Sequence, residues 1–87
     1  MNIVNTKNKV AVCSRSFSRN QELRDFLLSR YQNVSFNDKG LNFSGESLVN
    51  FLHGHDKAII ALEVIDDTIL SQLPDLKVIG KFGVGLD

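Results

Sequence analysis

Three short segments carry residues whose types and spacing could do chemistry, and the first is Gly83-Val-Gly85. It follows an apolar run that reads as a strand, which puts it where ligands bind in an open parallel sheet. Glycines one residue apart tolerate positive φ and let a ligand approach the backbone, and successive amides in such a turn bind anions. On spacing alone a plain turn is favoured, because Gly-x-Gly lacks the third glycine of a dinucleotide fingerprint.

The second segment is Cys13-Ser-Arg-Ser-Phe-Ser-Arg19, a Cys-x₅-Arg spacing between a predicted strand and a predicted helix. It is similar to the loop in which low-molecular-weight tyrosine phosphatases hold a thiolate nucleophile and a phosphate-binding arginine. Two features differ from that pattern. The loop has no glycine, and Asn20 stands where a hydroxyl residue usually follows the arginine. A buried, inert cysteine is therefore favoured, and a phosphatase using Cys13 and Arg19 is the alternative.

The third segment is His53-Gly-His55. Two histidines could bind a metal, but no third ligand stands near them in the sequence. Solvated histidines at the end of a helix are the favoured interpretation, with His53 close to the negative helix C-terminus. We predict no metal site.

These segments are positioned by strands that alternate with helices. Strands are predicted at 9–13, 34–36, 58–62 and 76–82 from short apolar runs. Helices are predicted after Ser18, Ser44 and Asp66, each a favoured N-cap, and Gly54 and Pro74 stop the last two. Ser18 and Gln21 have the spacing of a capping box for the first helix. The alternation is typical of an α/β protein with a parallel sheet.

Composition narrows the class of protein. The chain has 87 residues, enough for one domain with a thin core. Ten basic residues balance ten acidic ones, which gives no electrostatic footprint for nucleic acid or for an anionic membrane. The first eight residues are polar and do not resemble a signal peptide, and no apolar run is long enough to span a bilayer. One cysteine suits a reducing compartment, so a cytoplasmic location is expected.

The segment from Leu73 to Asp87, LPDLKVIGKFGVGLD, resembles the part of D-2-hydroxyacid dehydrogenases, phosphoglycerate dehydrogenase among them, that closes the first half of their substrate domain. Upstream, Ala61-Leu-Glu-Val-Ile65 is similar to the family's Gly-Leu-Glu-Pro-Ile, with Ala61 and Val64 as the two differences. The resemblance reaches back more loosely to Lys9 and so covers nearly the whole chain.

The resemblance implies a flavodoxin-like sheet with strand order 2-1-3-4 and with the family's fifth strand missing after residue 87. It also implies that Gly83, Val84 and Gly85 bind a substrate carboxylate through backbone amides. It places Glu63 at the rim of the substrate cleft, although a solvated carboxylate is an equally good interpretation of that residue.

The family's NAD site and catalytic residues match nothing in this chain, which contains no Gly-x-Gly-x-x-Gly. We assign no catalytic, cofactor-binding or metal-binding residue. The chain is expected to be the amino-terminal substrate-domain fragment of an NAD-dependent oxidoreductase, inactive alone, and either an engineered piece or a truncated gene product. A purely structural or interaction module is a further alternative.

A sheet of this order leaves its fourth strand with an open edge. The face that carries the first helix, here called the helix-poor face, would also be only partly covered. According to register, its uncovered side chains would come from Ile59, Ala61, Val78 and Ile79. The chain is therefore expected either to self-associate through this strand and this face or to be only marginally folded. Weak binding of a small carboxylate or 2-hydroxy acid is also expected.

Overall fold

A computed structural model describes residues 8–82 of the chain. Within that range, four parallel strands form one sheet in the order β2-β1-β3-β4. The strands are β1 (Lys9–Val12), β2 (Asn33–Phe36), β3 (Lys57–Ile60) and β4 (Val78–Lys81). This order confirms the predicted flavodoxin-like α/β fold.

The apolar β1 lies between β2 and β3 at the centre of the sheet. Its last three residues are buried, as a strand covered on both faces requires. In contrast, β4 is exposed along its whole length and pairs only with β3 among the strands at residues 8–82. The sheet is therefore well packed at its centre and open at the β4 side.

Four helices cover the two faces. They are α1 (Arg15–Arg19), α2 (Gln21–Arg30), α3 (Gly45–Leu52) and α4 (Asp67–Leu70). Apolar residues of α3 and α4, among them Leu48 and Leu52, pack with Ala11 and Ala58 on the face that we call the α3/α4 face. The opposite face, for which we keep the name helix-poor face, carries α1 and α2. None of the helices described for this chain is long and apolar enough to cross a membrane.

The predicted start of the first helix is wrong. Ser18 does not cap a helix but lies buried inside α1, where its Oγ accepts the backbone N–H of Asn37. Two other residues supply the caps: Ser14 Oγ accepts the N–H of Phe17 for α1, and Asn20 Oδ1 accepts that of Leu23 for α2. The error has a physical cause, since α1 has one large apolar residue and no recognisable helical period.

The predicted N-caps of the later helices and the glycine stop after α3 are confirmed, but α4 ends before it reaches Pro74. Ser44 is the N-cap of α3, and its backbone N–H donates to Ser47 Oγ. After α3, Gly54 adopts φ +82°, a conformation that favours glycine at a helix end. Asp66 Oδ1 accepts the N–H of Ile69 and so caps α4.

The register of β3 with β4 decides which β4 side chains share a face. Val78 pairs with Lys57 and Gly80 with Ile59, so Val78 lies on the helix-poor face together with Ile59. Ile79 pairs with Ala58 and lies on the α3/α4 face. Ile79 therefore does not belong to the uncovered set expected on the helix-poor face, where Val78 is 52% exposed.

The buried residue Asp56 joins three strands at the amino end of the sheet. Its Oδ1 accepts the Lys9 N–H at 2.8 Å, and its Oδ2 lies 2.7 Å from Lys57 Nζ. Its backbone carbonyl accepts the N–H groups of Lys77 and Val78. Burial alone would raise the pKa of this carboxyl, but the bonds from Lys57, Asn8 and Lys9 outweigh burial and lower it.

Candidate functional site

The carboxyl ends of β1, β3 and β4 meet at one edge of the sheet. The Cys13 N–H, just past β1, donates to Ile59 O at 2.7 Å. The Phe82 N–H, just past β4, donates to Ile60 O at 2.8 Å. The segment after β3 that carries Glu63 is thus flanked by the chain leaving β1 and the chain leaving β4. This edge is where an open parallel sheet binds ligands.

Glu63 is half-buried in the loop that follows β3. Its Oε1 accepts the backbone N–H of Ala61 at 2.7 Å, which holds the carboxylate at the edge of the sheet. Within residues 8–82, no hydrogen bond is made by Oε2. Among the described residues, Oε2 of Glu63 is therefore an acceptor without a partner at the place where the sequence puts the candidate site.

Gly83, Val84 and Gly85 lie outside the described residues. Their role in binding a carboxylate stays a prediction. The described chain ends at Phe82, whose ring packs edge-on against Phe17 of α1 with centroids 5.1 Å apart. This contact fixes the position of Phe82, the last described residue, next to β3 and on the helix-poor face.

Cys13 is completely buried, as the sequence predicts. Burial raises the pKa of its thiol to about 12, and the negative charge of Glu63 contributes to the rise. A thiol nucleophile needs the opposite environment, one that stabilises the thiolate. The side chain is therefore a packed apolar group beneath the candidate site.

The Cys-x₅-Arg segment does not form a phosphate-binding loop. Residues 15–19 are the helix α1, and Arg19 is an exposed residue at its far end. A phosphate cradle would need backbone amides that curl around an anion, whereas here the Ser18 N–H donates to Ser14 O inside the helix. The geometry thus opposes the phosphatase alternative.

Of the two histidines, only His53 is exposed. His55 is half-buried, contrary to the expected solvated position, and its ring nitrogens contact Ser35 Oγ and backbone carbonyls. No cluster of three metal-ligating side chains occurs in the part of the chain that the structure describes.

Sequence reasoning missed the buried amide of Asn37, whose hydrogen bonds hold the chain that leaves β1 at this edge of the sheet. Its Nδ2 donates to Cys13 O at 2.9 Å and to Leu41 O at 2.8 Å, and its Oδ1 accepts the Leu41 N–H. Asn37 begins the turn that follows β2, and Gly40 ends it with φ +65°. The long-range bond to Cys13 has no signal in the local sequence.

We predict that iodoacetamide alkylates Cys13 slowly in the folded protein. With a pKa of about 12, about one thiol in 10⁵ is ionised at pH 7, and the sulfur is also sterically covered. Intact mass measured over time should show alkylation at least about 100-fold slower than in urea, where Cys13 is free. Rapid alkylation that phosphate prevents, or aryl phosphate hydrolysis that Cys13→Ser abolishes, would contradict this prediction.

Comparison with known proteins gives one result. Residues 10–87 match the family model described as "D-isomer specific 2-hydroxyacid dehydrogenase, catalytic domain". No curated protein and no solved structure gives a significant match. The match agrees with the segments 61–65 and 73–87 that carry the resemblance and with the parallel sheet. The chain therefore belongs to the D-isomer specific 2-hydroxyacid dehydrogenase family, through the catalytic domain of that family.

Proposed function

We propose that this chain supplies the substrate-binding part of an NAD-dependent oxidoreductase acting on small 2-hydroxy acids. The family match supports the reaction class. The observation that carries the site is the Phe82 N–H bond to Ile60 O, because it holds the residue that precedes the glycines beside the chain leaving β3. A cytoplasmic location is part of the proposal and rests on the single cysteine.

The two sides of this edge suit the two functional groups of a 2-hydroxy acid. Backbone amides at Gly83, Val84 and Gly85 would hold the carboxylate. Glu63 would repel that carboxylate, and its Oε2 would accept the substrate hydroxyl. Charge thus orients the molecule, with its acid towards the glycines and its hydroxyl towards Glu63.

Among the described residues, the segment after β1 does not fit a dinucleotide. A pyrophosphate needs a glycine turn after a strand, where the backbone can be approached. After β1 the chain instead continues through buried Cys13 and Ser14 directly into α1. We therefore assign NAD to no residue here and derive no hydride-transfer step. The chain alone is proposed to be inactive.

The proposed site predicts weak binding of small 2-hydroxy acids. Titration of ¹⁵N-labelled protein with lactate should shift the amides of residues 61–63 and 82–85, with millimolar affinity at best, about −4 kcal/mol. Propionate, which lacks the hydroxyl, should bind about two- to tenfold more weakly, the equivalent of one hydrogen bond.

The controls separate Glu63 from general charge effects. Glu63→Gln should reduce the difference in affinity between lactate and propionate. Glu46→Gln, which removes an exposed carboxylate on α3, should leave it unchanged. Shifts that are absent, or spread evenly over the protein, would contradict the proposed site.

We further propose that the chain self-associates through its helix-poor face, with a second copy as the partner. Val78 is 52% exposed there, next to half-buried Ile59. Antiparallel pairing of two β4 edges centred on Ile79 would place Lys77 opposite Lys81 of the other copy twice, which is repulsive. The face is therefore a better contact than the edge.

Sedimentation velocity over a concentration series tests this self-association. Val78→Lys should yield monomers, because it places a charge on the helix-poor face. Ile79→Lys is the matched control: Ile79 is the next residue and 42% exposed, but it lies on the α3/α4 face. Equal behaviour of the two variants, or a monomeric parent at high concentration, would contradict the proposal.

A further inference from the structure

Ser35 and His55 form a hydrogen-bonded pair that includes none of the candidate-site residues. Ser35 is the third residue of β2 and pairs with Ala11, so its side chain lies on the α3/α4 face. His55 follows the end of α3 and precedes β3. Ser35 Oγ lies 3.0 Å from His55 Nε2.

The surroundings of His55 fix its tautomer. Nδ1 lies 3.1 Å from His53 O and 3.3 Å from Leu52 O. Carbonyl oxygens only accept hydrogen bonds, so the proton of the neutral ring is on Nδ1. Nε2 then has a free lone pair and accepts the hydroxyl proton of Ser35.

Packing holds the ring in this orientation. It stacks on Phe51, with centroids 6.4 Å apart and planes 24° apart, and Phe51 stacks on Phe43 at 4.4 Å. Both Ser35 and His55 are half-buried, so part of each residue is open to solvent. A hydroxyl, a base and groups that orient the base are thus present in one place, which is the arrangement that activates a serine nucleophile.

We propose that Ser35 is an activated nucleophile that accepts an acyl group from activated carboxylic esters, with His55 as its general base. Ser35 Oγ attacks the ester carbonyl carbon, and its proton passes to His55 Nε2. The bond between that carbon and the leaving oxygen then breaks. The leaving alkoxide or phenolate departs and takes the proton from His55, or, if it is only weakly basic, His55 releases that proton to water. The product is an O-acyl serine, and no oxidant or other co-reactant is needed.

The probe for this reaction is p-nitrophenyl acetate. Peptide mapping by mass spectrometry locates each acetyl group, and hydroxylamine removes esters from serine but leaves lysine amides intact. Ser29 is the internal reference, because its Oγ donates to Phe26 O and no histidine contacts it. The expected result is acetylation of Ser35 at least tenfold faster than that of Ser29 in the same molecules.

One variant tests the role of the base. General base catalysis contributes about 10²–10⁴-fold, so His55→Gln should slow acetylation of Ser35 by at least tenfold and leave lysine acetylation unchanged. Equal rates at the two serines, or a Ser35 rate that His55→Gln leaves unchanged, would overturn the proposal.

Discussion

Asn37→Asp is expected to destabilise the folded domain by at least about 3 kcal/mol at pH 7. The change is nearly isosteric, but it replaces an NH₂ group that donates to two carbonyls. In the variant a carboxylate oxygen would face Cys13 O and Leu41 O, 2.9 and 2.8 Å from the atom it replaces. A charge would also be buried, since Asn37 is 3% exposed. A domain of this size has roughly 4–13 kcal/mol of stability in total, so the loss is large.

The pH dependence of this variant has a definite sign. Burial opposite two carbonyl oxygens should raise the pKa of the new carboxyl, so the destabilisation is full at neutral pH and decreases as the group takes a proton. Urea unfolding followed by circular dichroism at pH 7 and pH 5 measures both effects. Asn42→Asp, in the same loop region but exposed, is the control. A free energy of unfolding within about 0.5 kcal/mol of the parent at pH 7 would show that the Asn37 amide does not stabilise the fold as we describe.

Asp56→Asn is expected to cost about 1.5–3 kcal/mol at pH 7, the range for a lost hydrogen bond to a charged group. The amide oxygen can still accept the Lys9 N–H, but the pairing with Lys57 Nζ at 2.7 Å is lost. This paired carboxylate is largely shielded from solvent, so its interaction is stronger than that of an exposed ion pair. The same carboxyl also makes stability depend on pH in the parent protein.

Folding lowers the pKa of Asp56 from its ordinary value of 3.8. Its contribution is therefore fully present above that value and is lost as the pH falls through the lower folded-state pKa. Urea unfolding between about pH 5 and pH 2 should show a shallower loss of stability in Asp56→Asn than in the parent. Asp75→Asn, at an exposed carboxylate, should keep the parental slope. Parallel slopes for parent and Asp56→Asn would contradict this role.

The elements of this fold can be predicted from sequence where apolar pattern decides them. β1 and β3 are short apolar runs, and Ser44, Gly54 and Asp66 mark helix ends where the structure has them. α1 was missed because its stability comes from burial of Phe17 and from the cap of Ser14, not from periodicity. Local patterns identify well the elements that have a clear apolar pattern. They identify poorly the short helices that tertiary contacts stabilise.

The site could be predicted only in outline. That Cys13 and Glu63 lie at one edge follows from their positions after parallel strands. The contacts of Asn37 with Cys13 and of Ser35 with His55 depend on how distant segments dock, which no local pattern encodes. The face of Ile79 depends on register, and a shift of one residue reverses it.

The central position of β1 also determines the order in which this chain can assemble. The β1–β2 pair closes through α1 and α2, and the β3–β4 pair closes through α4, so each forms within its own half of the sequence. The β1–β3 pair joins the halves and has the longest loop to close, with Ala11 beside Ala58. Closing the β1–β3 pair is therefore expected to be the slow step of folding. Substitutions at the paired residues of β1 and β3 should slow folding more than substitutions elsewhere in either half of the chain.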